Sequence, residues 1–418
     1  MDFRLIIPIL VTVVGSYLLI KLGAFYILHP IKTATEFCRG LKDRSSRRAF
    51  FLALAGTLGV GNIFGVCAGI IIGGPGSIFW LFVSSAFAMI IKYAETLLVF
   101  SENVGDGGMA AVLRSVFGKM GKKLSMIYAA MTVLLSFFMG SAMQAVALTD
   151  ITSQTYGISP LTTSVILLAL LIPILFGNGK KIENITEIVI PMTTIFYIIA
   201  CLCVIFANFS RLGGTLVCII SSAISPRAAL GGGLSFVALR EGFARGILSN
   251  EAGVGTSVLA HSRATNRTPH QAGLFAMSEV VFDSSVLCIL TGIAVLLSVP
   301  DYSVYKTPMS LVAAAFNSLF GSFSDVFLPV VILAFAYSTI ICWFYYGSKT
   351  CDTFFNKHTL TFKLCFCLSA LLCSYISQNV LIYITDIILL IMSLFTLSAI
   401  VVRSQRITEL SIKKSAPD

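Results

Sequence analysis

Charge is what this chain of 418 residues has least of: Asp, Glu, Lys and Arg make up 11% of it, against roughly a quarter in soluble globular domains. So few charges cannot cover a water-facing surface of this size. Histidine is scarcer still, with four residues. Cysteine occurs eleven times but without chelating spacing: Cys201 and Cys203, like Cys365 and Cys367, stand two apart and point to different faces of a helix. The thiols therefore read as small apolar residues, and the four His, all near ends of apolar runs, as interfacial side chains. The net charge of +10 is not gathered on one surface. These shortages exclude a secreted disulfide domain, a nucleic-acid binder and a Rossmann-type soluble enzyme.

What is present is apolar. Hydrophobic residues make up 57% of the chain, and the mean hydropathy is +0.92. Eleven apolar runs, most long enough to cross a bilayer, fall at about 3–28, 49–73, 76–100, 123–149, 159–176, 184–208, 228–260, 271–298, 326–348, 361–376 and 379–402. The first continues past Gly23 without a small-residue cleavage pattern and reads as a retained span. Fold class is thus an all-α membrane protein with 11 transmembrane helices.

Basic residues set the orientation, because they resist transfer across the membrane. Loops after spans one, three, five, seven and nine, with the C-terminal tail, hold 21 Lys and Arg; the other side holds four, Arg4, Arg211, Arg227 and Lys306. The expected topology has the N-terminus outside and the C-terminus in the cytoplasm, in the plasma (inner) membrane.

Two spans are poor helices. Span two carries Gly56, Gly59 and Gly61 beside Asn62, and each glycine costs about 1 kcal/mol relative to Ala inside a helix. Gly61, Gly65 and Gly69 are spaced for close helix packing, whereas the odd spacing of Gly56, Gly59 and Gly61 fits an interruption better. Span seven repeats the anomaly, with Gly231, Gly232 and Gly233, then Arg240, Glu241 and Arg245, then Ser249, Asn250, Glu251, Gly253 and Gly255. Charges in mid-span face a protein interior or an aqueous cavity. With span one set aside, spans two to eleven form two sets of five, and the interrupted span leads each set. An odd number per set inverts the second against the first. The expected organisation is an extra helix and basic loop at 1–48, a first five-helix repeat at 49–210, a second inverted repeat at 228–402 and a tail at 403–418. Paired interrupted helices in inverted halves mark the central site of a secondary transporter.

The sequence resembles the bacterial alanine or glycine:cation symporter family, in the superfamily with the leucine-transporter-like five-plus-five inverted-repeat fold. The resemblance rests on Ala55 through Ile63, on Gly73, Gly74, Pro75 and Gly76 with Phe79 and Trp80, and on Lys92 through Glu95. It continues through Arg245 and Gly246, Ser249 through Gly253, and His261, to Ser338 and Thr339 ahead of Trp343, Tyr345, Tyr346 and Gly347. It implies symport of a small neutral amino acid, alanine or glycine, with Na⁺ by alternating access, and no cofactor. An H⁺-coupled or differently selective amino-acid transporter and an ion channel are the alternatives. A channel is disfavoured by the inverted halves and the lack of repeated filter loops. An intramembrane hydrolase built on Ser249, His261 and Asp283 is disfavoured because Ser249 and His261, 12 residues apart, would stand roughly 18 Å apart on a helix.

The resemblance also assigns residues. The substrate carboxylate is expected at the N–H groups of Val60 and Gly61, with Thr57 and Asn62 beside it and Gly59 and Gly61 admitting the ligand to the backbone. Gln144, a neutral amide in span four, is a further candidate contact. Na⁺ is expected between the carbonyls of Ala55 and Leu58, the hydroxyls of Ser338 and Thr339, and a carbonyl one turn before Ser338. Back-bonding of both hydroxyls to their own helix is the ordinary alternative. Glu251 reads as a gate or structural carboxylate, paired with Arg245 if the helix breaks between them.

Overall fold

The computed structural model describes residues 5–104, 107–177, 180–224, 234–264, 267–355, 359–372 and 375–412. Arg4, Arg227, Gly231, Gly232, Gly233, Lys357, His358, Lys413 and Lys414, which entered the sequence reading, lie outside them. Among the described residues the regular structure is entirely helical.

In chain order the helices are α1 (Ile6–Leu22), α2 (Pro30–Gly40), α3 (Arg44–Thr57), α4 (Gly61–Gly73), α5 (Gly76–Glu102), α6 (Gly108–Val116), α7 (Gly118–Tyr156), α8 (Pro160–Leu175) and α9 (Lys180–Ala207). They continue with α10 (Phe209–Ile224), α11 (Leu234–Asn250), α12 (Val258–His261), α13 (Pro269–Ser298), α14 (Pro308–Phe320), α15 (Ser324–Phe354), α16 (Thr359–Leu372), α17 (Gln378–Val402) and α18 (Ser404–Ile412). Helix starts follow side-chain chemistry. Asp43 accepts the Ser46 N–H at 2.8 Å ahead of α3, and hydrogen bonding from Ser46, its side chain first and its backbone second, holds the Asp43 carboxyl below the usual range. Thr268 and Gln271 form a capping box ahead of α13, with Pro269 at the first helical position.

Among the described residues, seven segments are long and apolar enough to cross a membrane: α3 with α4, α5, α7, Ile182–Ala207 of α9, α13, α14 with α15, and Val380–Val402 of α17. Four shorter apolar helices accompany them, Ile6–Leu22, Pro160–Leu175, Phe209–Ile224 and Leu360–Leu372. The protein is a multi-pass membrane protein, and its outer faces show it. On α9, Ile188, Met192, Ile195, Phe196 and Ile199 are exposed, while Ile190, Tyr197, Cys201 and Val204 are fully buried. That is an apolar helix sided by lipid and protein rather than by water and protein.

Helix α5 is the post against which α11 and α13 pack. Gly242 and Gly246 permit the approach of α11: a Cβ on Gly242 would lie 2.5 Å from Ser77 O, and one on Gly246 2.2 Å from Ser84 Oγ. Gly65 and Gly69, spaced for the same purpose, meet neighbours only at ordinary contact distances. Helices α10 and α14 occupy stretches with no expected span. Helix α10 seats on α5, where Trp80 Nε1 donates to Ala223 O at 3.3 Å.

Candidate substrate and cation site

Span two is interrupted where its glycines crowd. Helix α3 ends at Thr57, Leu58 leaves the helical region with ψ 75°, and α4 begins at Gly61. The Gly59 N–H turns to Thr57 O (2.9 Å) and Asn62 Oδ1 (3.1 Å). The Val60 N–H goes to Gln144 Oε1 at 3.0 Å, and the Asn62 N–H to Gly59 O at 3.3 Å. The carbonyls of Ala55, Gly56 and Leu58 thereby lose their helical donors. Helix α15 meets this row of acceptors with one face. Thr339 donates its hydroxyl to Leu58 O (3.3 Å), Trp343 its indole N–H to Gly56 O (3.2 Å) and Cys342 its thiol to Leu52 O (3.0 Å). The i, i+3, i+4 spacing of these three donors puts them on one stripe.

Gly59 is the tightest point. A Cβ there would lie 2.9 Å from Thr339 Oγ1 and 3.0 Å from Gln144 Oε1, so a side chain would push the donor of α15 and the acceptor of α7 apart. Gly61 is the opposite case, with nothing within 4 Å of an added Cβ. It opens on a cavity of about 10 Å³, lined by Val60, Phe64, Met143, Val146, Gln378 and Ile382 among others, with room for about one water. An amino acid enters only if these side chains move. Gln378 on that wall donates to Asp150, tying α17 to α7.

The expected contacts divide. Gln144 and Val60 are directly bonded, with Gln144 also donating to Met139 O (3.3 Å). Gly59 and Gly61 are the close-approach and open positions of the same turn. Thr57, expected beside a carboxylate, turns its hydroxyl back to Leu54 O at 3.3 Å. Asn62 points away from the cavity and toward the second interrupted helix. Of the hydroxyl pair, Thr339 reaches the carbonyl row while Ser338 bonds back to Ala334 O at 2.8 Å.

Span seven breaks between α11 and α12. Glu251 has φ +54°, and Gly253 and Gly255 have φ +87° and +82°, conformations that glycine adopts freely and Glu does not. The unwound strand is held from several sides. Val254 O accepts from Tyr128 (2.5 Å) and Thr396 (3.0 Å), Gly253 N–H donates to Glu95, and Ser257 Oγ accepts from Lys92 at 2.7 Å. Arg245 does not reach Glu251: the helix is continuous through Asn250, and Arg245 pairs with Glu241 at 2.9 Å. His261 is fully buried against Glu279 rather than interfacial.

Asp283 is the residue that spacing did not select. It lies fully buried in the π-helical stretch Val281–Cys288 of α13, an acid inside an apolar run being its one sequence signal. Ser249 Oγ lies 2.9 and 2.8 Å from its two oxygens, Ser284 Oγ lies 2.8 Å away, and Asn62 donates to it. Asn62 also donates to Ser249 at 2.9 Å, so this cluster joins the two breaks. Ser249 and Asp283 do meet, but His261 sits with Glu279 and Lys92, and no Ser-His-Asp relay forms.

A family model described as the sodium:alanine symporter family matches residues 2–413. The chain belongs to that family. Among curated relatives, an uncharacterized transporter of Haemophilus influenzae is 33% identical over 82% of this chain and 78% of its own length. The sodium/alanine symporter AgcS of Methanococcus maripaludis is 31% identical over 80% and 77%, and the probable sodium/glutamine symporter GlnT of Bacillus subtilis 30% over 81% and 74%. Among solved structures, MhsT in complex with L-phenylalanine superposes with a TM-score of 0.61 at 15% identity, over 88% of this chain and 96% of that one. The manganese transporter of Eremococcus coleocola superposes at 0.51, over 85% and 75%. Family and fold are those of transporters, not enzymes, and they support symport of an amino acid with a cation.

Proposed function

We propose that this sodium:alanine symporter family member imports a small neutral amino acid, alanine or glycine, together with Na⁺ by alternating access. The observation that carries the reading is the break at Leu58–Val60, whose backbone N–H groups face Gln144 on one side and whose carbonyls face Thr339 on the other. A zwitterion's carboxylate needs N–H donors, and a hard monovalent cation needs neutral oxygens; one unwound turn offers both. In this reading the carboxylate takes the N–H groups of Val60 and Gly61, displacing Gln144 Oε1 from Val60. Na⁺ lies among Ala55 O, Leu58 O and Thr339 Oγ1, with Ser338 contributing after its hydroxyl leaves Ala334 O.

The same proposal takes eleven crossings, two inverted five-helix repeats after α1, an outside N-terminus and a cytoplasmic C-terminus in the plasma membrane, on the strength of the 21-to-4 distribution of basic residues. The deciding experiment is uptake of labelled alanine, glycine and larger amino acids into proteoliposomes with Na⁺ and H⁺ gradients imposed separately. Alanine or glycine uptake that follows the Na⁺ gradient supports it. Uptake that follows only the H⁺ gradient, or that prefers large substrates, replaces it with the alternative carrier.

A further inference from the structure

Beside the unwound strand 251–257 lies a buried cluster of ionisable groups in which acids outnumber bases. Lys92 and Glu95 on α5, Glu251 and His261 on the interrupted helix and Glu279 on α13 are each at most 1% exposed. Their pairings can be followed group by group. Glu279 gives one oxygen to Lys92 at 3.2 Å and the other to His261, so Lys92 and Glu279 neutralise one another. His261 meets Glu279 through Nε2, while its Nδ1 is buried without a hydrogen-bond partner. A neutral imidazole protonated at Nε2 satisfies that arrangement; an imidazolium would bury an orphan N–H.

Glu95 and Glu251 are then left over. Glu95 Oε1 accepts the Gly253 N–H, and Glu251 Oε2 accepts the Thr256 hydroxyl. The second oxygen of each, Glu95 Oε2 and Glu251 Oε1, is buried with no partner. The charge of Lys92 reaches both, but Lys92 is already committed to Glu279. The other titratable groups facing them are Tyr128 from α7, Asp283 from α13, and Cys342 and Tyr346 from α15, none of which carries positive charge. Isolated carboxylates in a dry interior are too costly to stay ionised and take up protons instead. Even a cationic His261 would leave one acid uncompensated.

We propose that Glu95 and Glu251 form a proton-binding site, distinct from the proposed cation site at Ala55, Leu58, Ser338 and Thr339. At least one of the two holds a proton on its orphan oxygen in this closed arrangement. The proton comes from water and returns to water when the unwound strand is exposed and the carboxylate regains solvation. Because Glu95 also fixes the Gly253 N–H, and Glu251 is itself the first residue of the break, proton occupancy and the position of the strand are linked. The inference rests on the carrier reading only for what the proton does in a transport cycle.

Infrared spectroscopy of the purified protein in lipid, which needs no transport, is the test. A carbonyl band of a protonated buried carboxyl is expected at neutral pH, reduced by Glu95→Gln or Glu251→Gln and unchanged by Glu409→Gln on the exposed side of α18. Absence of such a band from the unmodified protein overturns the proposal whether or not the variants fold. So does a band that survives undiminished in the folded double variant Glu95→Gln with Glu251→Gln. Binding of radioactive Na⁺ to the protein decides the competing occupant: Na⁺ binding lost in Glu251→Gln, with no protonated-carboxyl band in the parent, makes this a cation site instead. Uptake assays that fail while the band behaves as expected would count against the carrier reading alone.

Discussion

The side-chain oxygen of Gln144 lies 3.0 Å from the amide nitrogen of Val60, so α7 holds the N–H group proposed to receive the substrate's carboxylate. In the proposed site, exchange of one oxygen acceptor for another would link substrate arrival to release of α7 from the break. Gln144→Leu should leave that N–H without its side-chain partner, at a cost of about 1–3 kcal/mol to stability, and should change alanine affinity by about tenfold or more. Unchanged affinity in equilibrium binding would make Gln144 a strut between helices with no part in recognition.

Gly61→Val places its Cβ where nothing lies within 4 Å and aims its methyl groups at the small cavity beside Phe64 and Met143. The variant should insert and fold with near-normal thermal stability and fail to bind alanine. Gly59→Ala differs. Its Cβ meets Thr339 Oγ1 and Gln144 Oε1, and such overpacking should cost about 1–3 kcal/mol. Thermal unfolding of the two variants separates them, and a Gly61→Val protein with parental alanine binding would remove this turn from the substrate site.

The hydroxyl pair should behave unequally. Thr339→Val deletes the group already on Leu58 O, while Ser338→Ala deletes one now bonded to Ala334 O. The Na⁺ concentration for half-maximal uptake should therefore rise more in Thr339→Val than in Ser338→Ala, and steeply in the double variant, with the alanine dependence at saturating Na⁺ changing much less. If the double variant keeps its Na⁺ dependence, the cation binds elsewhere or a proton is the coupling ion.

Helix α9 clasps both interrupted helices at one end. Glu187 takes Arg47 at 3.0 Å and Arg48 at 2.8 Å from α3, and Glu183, one turn earlier, takes Arg263 at 2.5 Å just beyond α12. Partly exposed pairs contribute about 0.2–1 kcal/mol each, enough together to bias an opening equilibrium several-fold. Glu183→Gln with Glu187→Gln should raise the rate at which a thiol reagent reaches Cys342 in a protein retaining that one cysteine, and added salt should do the same to the parent. Equal labelling rates in parent and double variant would show that the clasp carries no gating energy.

The two breaks were legible because their residues are bad helix formers for local reasons: Gly56, Gly59 and Gly61 in one, Gly253 and Gly255 in the other. Thr339 was legible only through resemblance, since a Ser-Thr pair in an apolar helix ordinarily bonds to its own turn, as Ser338 in fact does. Thr57 and Asn62 were placed by proximity in sequence, but one turn of helix suffices to aim neighbours at opposite sides, and Asn62 faces Ser249 instead. Asp283 and the leftover acids were not legible as a group. The contacts that join them, Asn62 to Asp283, Gly253 to Glu95 and Lys92 to Glu279, bridge segments far apart in the chain, and only the packing of the helices assembles them. Helices α10 and α14 carry no long uninterrupted apolar run, so hydropathy passed over them.

The chain has two tryptophans, and one is a native sensor. Trp343 is fully buried, donates to Gly56 O just before the first break, and lies so close to α7 that a Cβ on Gly140 would fall 2.2 Å from its own. Trp80 sits apart, bonded to Ala223 of α10. With Trp80 replaced by Phe, the remaining emission would arise from an indole wedged between the unwound turn and α7, whose separation the proposed transport cycle calls for. Its colour and lifetime would therefore time that separation directly, without any attached dye.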